Sequence, residues 1–221
     1  MYLNIPSFSL DELITATDGS NLLLSTLLSM SEIFFGAIIG GVIAIMMGAL
    51  TYKYKRFGKT IGTIFLLAAP IPVIFWMPAV IAIFPSNFAQ ATALCSIITF
   101  FLVYLAIFGA YKRLPQEYIH LANLYSIKPF RQFFHIVLPF ATQAISISVR
   151  ISLAFCWVAL YIAEVKRSGG MYGLGAYIRS EVSLIKWSSA WNAAILLILA
   201  AYLLDLIVAK FFNHITKWER E

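Results

Sequence analysis

The stretch Phe57-Gly58-Lys59-Thr60 ends as a phosphate-binding loop ends, in Gly-Lys-Thr. Such a loop also needs a glycine five residues before Gly58. Lys53 stands there, so the backbone cradle for phosphate is incomplete. His120, His135 and His214 are too scattered for metal-ligand spacing, and no paired carboxylates or Ser/His/Asp arrangement is visible. Cys95 and Cys156 each lie inside an apolar run without CxxC spacing, and read as small buried hydrophobes rather than as a disulfide or a metal pair. The chain therefore reads as non-catalytic, with no cofactor and no metal.

Other residues are chemically costly where they stand. Arg150 and Asp205 interrupt apolar runs, where a charge is unfavourable unless it is paired or close to an interface; a structural role is favoured over solute binding. Arg150 follows Pro139 by eleven residues, within reach of the cytoplasmic interface by snorkelling. Glu164 closes an apolar run, and a carboxylate at the C-terminal end of a helix opposes the macrodipole, so it calls for a partner outside that helix. Pro70, Pro72 and Pro78 fall within nine residues of one apolar run. Each removes a backbone hydrogen bond that a neighbour or a water-filled cavity must replace, as in a broken helix beside a transport path or in a packing kink. Pro70, Pro72, Pro78 and Glu164 are the candidates for a transport path.

The elements that would position these residues are membrane spans. Of the 221 residues 61% are hydrophobic and 12% charged, and the mean hydropathy of +0.86 exceeds what one water-soluble core can hide. A bilayer core about 30 Å thick takes about 20 apolar residues in a helix. Five stretches qualify: 33–50, 61–84, 89–111, 144–163 and 191–212, the first with an amphipathic, partly surface-lying start from Leu22. Gly36, Gly40, Gly41 and Gly48 clear one face of the first span for close packing, within the chain rather than across a dimer. The net charge of +6 sits in short clusters between spans, which reads as topology and not as nucleic-acid binding. Lys53, Lys55, Arg56 and Lys59 place the first loop in the cytoplasm. Lys112, Arg113, Lys128 and Arg131 place residues 114–139 there, and Lys210, Lys217 and Arg220 the C-terminus. The N-terminal segment, with Asp11, Glu12 and Asp18 and no cation, then lies outside. Residues 164–186, external by this count yet carrying Lys166, Arg167, Arg179 and Lys186, read as amphipathic or re-entrant.

The longest polar stretch, LPQEYIHLANLYSIKPFRQFFHIVLP at 114–139, contains a short helix bracketed by Pro115 and Pro129. Tyr118, Leu121, Ala122 and Tyr125 recur at i, i+3, i+4 and i+7 as one apolar face, too short to span and suited to a cleft on a soluble partner.

This stretch resembles the EAA loop of ABC importer permeases, P-x-E-x-x-E-A-A-x-x-x-G followed by a hydrophobic run and L-P. Pro115, Glu117, Ala122, Leu138 and Pro139 match at the family's spacing. Downstream, Arg150, the Ala163-Glu164 pair and the run Gly173 to Ile178 are most similar to the nitrate, sulfonate and taurine branch; the short permeases for methionine are the alternative branch. His120 and Leu121 replace E-A, and Ser126 stands at the glycine, where a positive φ suits serine poorly.

The resemblance implies an all-α type I importer permease, a single transmembrane domain over 1–221 with its core at 22–212. It also implies a small anion as solute, a cytoplasmic ABC ATPase dimer, a second identical or different permease subunit, and an extracytoplasmic solute-binding protein. The setting would be a bacterial cytoplasmic membrane, with the N-terminus outside and the C-terminus inside. Glu117, Tyr118, Leu121, Ala122, Tyr125 and Ser126 would couple the ATPase to the bundle. The rival class is a self-sufficient secondary transporter or channel, against which stand the few ionisable residues in the spans and the lack of an inverted repeat. A non-transporting scaffold subunit is a third reading.

Overall fold

The computed structural model describes residues 22–164 and 173–216. Every regular element among them is helical. The long helices are α1 (Leu22–Lys53), α4 (Asn87–Arg113), α6 (Pro129–Glu164) and α8 (Trp187–Ile215), each long and apolar enough to cross a bilayer. Shorter elements complete the bundle: α2 (Lys55–Ala68), α3 (Met77–Ile83) preceded by a 3₁₀ turn (Val73–Trp76), α5 (Gln116–Leu124) and α7 (Leu174–Ser183). One end of the bundle carries residues 114–128 and is called the loop end here. The far end carries Glu164 and α7.

The first helix is built for lipid. Ser25, Ser29, Glu32, Gly36, Gly40, Ala44 and Gly48 recur every three to four residues and are buried, whereas Leu27, Phe34, Ile38, Val42 and Met46 point outward. Lipid is as apolar as leucine, so burying large side chains gains little. Small residues that let backbones approach supply the contact instead. A Cβ on Gly36 would strike that of Cys95, and one on Gly40 would strike the Ser96 carbonyl, so α1 and α4 meet backbone to backbone. Gly36, Gly40 and Gly48 thus serve packing within the chain, whereas a Cβ on Gly41 would meet nothing within 4 Å. From Leu22 α1 is one helix of 32 residues, and its start is amphipathic, with Ser25, Thr26 and Ser29 buried and Leu23, Leu24 and Leu27 exposed.

Two apolar cores stack along the bundle. Ile33, Leu94, Cys95, Cys156, Trp157, Leu160 and Leu174 fill the far half, and Tyr104, Ile107, Phe133 and Val137 fill the loop half. Between them Thr99 of α4 donates to Ser152 of α6 at 3.1 Å, which closes a polar pair that lipid could not satisfy. Phe65 of α2 packs edge-on against Phe100 and Tyr104, with centroids 5.1 and 4.9 Å away.

The apolar run 61–84 is broken where its prolines lie: Gly58–Ala68 and Val73–Ile83 meet at 108°, because Pro70 and Pro72 cannot donate across the break. Pro139, by contrast, does not interrupt its helix. A π turn at Phe133–Val137, closed by the Leu138 N–H on the Phe133 carbonyl, shifts the hydrogen-bond register and lets the helix run on to Glu164.

Candidate functional site

At the loop end, α5 leaves the bundle after Pro115 with Glu117 in its first turn, where a carboxylate favours the positive end of the helix dipole. Ile119 and Ala122 are buried, whereas Tyr118, Leu121, Leu124 and Tyr125 are exposed. The four-residue face expected from spacing therefore divides. Tyr118, Leu121 and Tyr125 are presented outward, and Ala122 seats the helix on its own bundle, because positions 121 and 122 are about 100° apart round the helix and fall on opposite edges of that face. The helix closes with two backbone bonds, Ile127 N–H to Ala122 carbonyl and Ser126 N–H to Asn123 carbonyl, both 2.9 Å, which is a Schellman motif. Its left-handed position is filled by Ser126 at φ 54°, so the backbone a glycine would favour forms with serine in its place.

Spacing gave no sign of what fixes this loop. Gln132 is 4% exposed and joins three elements at once. Its Nε2 donates to Asn123 Oδ1 at 2.9 Å and to the Ile127 carbonyl at 2.7 Å, and its Oε1 accepts from the Tyr52 hydroxyl at 2.7 Å. The coupling-loop candidate is thereby tied to the last turn of α1, and Tyr52 is packed by Tyr111 and Phe133. The polar junction links α5 to α1 and α6. The sequence carries little signal of this role, since Gln132 stands between Arg131 and Phe133 in a polar stretch.

At the far end Glu164 is fully buried, and its partner is the start of α7. Oε2 accepts from the N–H groups of Gly175 (2.5 Å) and Ala176 (3.2 Å), and Oε1 accepts from Ser29 Oγ (2.8 Å). Ser29 in turn accepts from the Leu174 N–H at 2.9 Å. The positive end of one helix dipole thus offsets a carboxylate at the negative end of another. Gly173 and Gly175 are required by this contact, since a Cβ on either would run into the carboxylate. Glu164, a candidate for the transport path, is withdrawn into this latch. The amphipathic or re-entrant segment resolves into α7 and its docking; Lys166 and Arg167 lie outside the described residues, as do the acidic N-terminal positions and Lys217 and Arg220.

The proline break encloses a cavity of ≈ 290 Å³ between Pro70, Pro72, Trp76, α4 at Phe101 and Leu102, and α6 at Phe155 and Val158. Pro78 is not part of its wall; it occupies the first turn of α3, where the missing N–H costs nothing. Farther along α6, the Arg150 guanidinium grips Asp205 of α8 with two bonds, Nε to Oδ1 at 2.6 Å and Nη2 to Oδ2 at 2.7 Å. The two charges interrupting the apolar runs are each other's partner.

Residues 40–217 match the family described as binding-protein-dependent transport system inner membrane component. Curated relatives include the bicarbonate transport system permease protein CmpB of Synechocystis, 25% identical over 69% of this chain and 54% of its own. The nitrate import permease protein NrtB of the same organism is 23% identical over 82% of this chain and 65% of its own. The putative aliphatic sulfonates transport permease protein SsuC of Bacillus subtilis is 22% identical over 86% and 68%. The chain spans about half the length of the first of these, at 54%. Among solved structures, an inward facing conformation of the MetNI methionine ABC transporter superposes with a TM-score of 0.74 at 16% identity, covering 88% of this chain and 96% of that one.

Proposed function

Because the chain belongs to the binding-protein-dependent inner membrane components and is an ABC transporter permease of type I importer fold, we propose that it forms one half of a solute path driven by a partner ATPase. A second permease subunit completes the path, a dimer of cytoplasmic ATPases hydrolyses the ATP, and an external binding protein delivers solute. The observation that carries this reading is the loop end: an exposed apolar edge of Tyr118, Leu121 and Tyr125 on a short helix locked to α1 by Gln132. Such an edge suits a cleft, and its rigid seat suits the transmission of force.

Orientation follows from charge. Lys53, Arg56, Lys59, Lys112, Arg113, Lys128, Arg131 and Lys210 all lie toward the loop end, which therefore faces the cytoplasm, with the N-terminus outside and the C-terminus inside. The far end, with exposed Arg179 and Lys186 beside α7, then meets the binding protein. The whole chain acts as one transmembrane domain. The solute is a small oxyanion, a class shared by the bicarbonate, nitrate and sulfonate named for its relatives. Pro70, Pro72 and Pro78 border the path, and Glu164 closes its far end through the contact with α7.

The test is ATPase retention in detergent-purified complex. Tyr125→Ala should cost about 1–3 kcal/mol of docking, about 5-fold to 150-fold in affinity, and Leu121→Asp should abolish retention. Parental retention and coupling in both variants would show that this edge is not the contact.

A further inference from the structure

Arg150 and Asp205 are bound to each other, yet their side chains are 47% and 33% exposed. By helical rise Arg150 lies about 21 Å from Glu164 along α6, and Asp205 about 27 Å from Trp187 along α8, both below the outer half of a bilayer core. Val149 and Ile151 flank one, Leu204 and Leu206 the other, and the outward face of α6 continues in polar fashion toward the loop end through Ser146 and Gln143. Lipid does not solvate such a face. Charged groups at this depth turn toward water or protein. Farther along α6, exposed Phe155 and Val158 line the proline cavity.

We propose that Arg150 is the anion-reading residue of the solute path and that Asp205 is the internal counter-ion it exchanges for solute. This rests on the importer reading above. Two of the five guanidinium N–H donors are engaged by Asp205; a planar fork of further donors suits a small oxyanion, and the side chain is half exposed. An anion entering a passage of low dielectric needs a cation waiting in it. A carboxylate already paired with that cation competes for it, so binding is strong enough to admit the anion and weak enough to release it. No proton or covalent step is involved.

The experiment uses the complete complex in proteoliposomes, with labelled nitrate and bicarbonate as probes and ATPase retention recorded for each variant. Arg150→Gln should lower uptake about tenfold or more while the ATPase stays bound. The double variant Arg150→Gln with Asp205→Asn removes both charges and relieves any purely structural imbalance. It should remain as impaired as the single variant; recovery of parental uptake would show a structural pair and overturn the proposal. In a second arm, Ile147→Cys, one turn away and 59% exposed, is treated with a charged, membrane-impermeant thiosulfonate; Cys95 and Cys156 are buried. Labelling is expected. Reaction only with a lipid-soluble maleimide would place the face in lipid and also overturn the proposal. A parental complex that retains its ATPase but moves neither anion would refute the anion role of Arg150 and leave the importer reading standing. Loss of the ATPase from the parental complex would instead count against the importer reading.

Discussion

Two backbone positions carry opposite signs of strain. Ser126 holds φ 54° at a position where a left-handed L-residue costs free energy that glycine does not. Gly173 is pressed against the Glu164 carboxylate where no Cβ fits. Ser126→Gly should therefore raise stability by about 0.5–1 kcal/mol, offset in part by added freedom of the unfolded chain. Gly173→Ala should lower it by about 3 kcal/mol, since the buried carboxylate loses donors while remaining buried. Thermal unfolding in detergent reads both, and equal shifts of one sign would contradict the assignment. The demand of Glu164 for an outside partner was legible in the sequence, because a carboxylate at a helix C-terminus is unfavourable by itself. The partner was not legible, since it is a set of backbone N–H groups that exist only once α7 folds. Gln132 was illegible for a related reason: an amide in a polar loop reads as solvated until Tyr52, eighty residues earlier, is brought beside it.

The elements show which part of a span is written in composition. Apolar length alone marked α1, α4, α6 and α8, since a bilayer sets the number of residues needed. Composition did not show that 61–84 folds back at 108°, because proline marks where a helix loses bonds and leaves open which neighbours receive the ends. The continuity of α6 through Pro139 was hidden likewise, since a π turn has no strong residue signature. If the break at Pro70 and Pro72 borders the path, its cavity must stay open during transport. Ala69→Trp fills part of that ≈ 290 Å³ and should raise the transport barrier by about 1.4 kcal/mol, tenfold in uptake rate, with assembly and ATP hydrolysis intact. Unchanged uptake in an assembled complex would remove the cavity from the path.

Across the whole molecule, the burial pattern of α1 is the reverse of a soluble helix, with small and polar residues mostly inward and large apolar ones mostly outward, and most of the described cations lie toward one end. That end carries a short helix whose exposed aromatic edge needs a cover, and Gln132 ties it to the spans. On the proposed function, a separate cytoplasmic ATPase supplies this cover and drives the bundle through it. The direct measurement is cross-linking in native membranes from Tyr125→Cys, a position 79% exposed, in a chain whose Cys95 and Cys156 are buried. One product is expected, joining this chain to an ATP-binding protein, with a yield that changes when nucleotide is added. A bundle that moves solute in liposomes on its own, while position 125 cross-links to no ATP-binding protein, would contradict it.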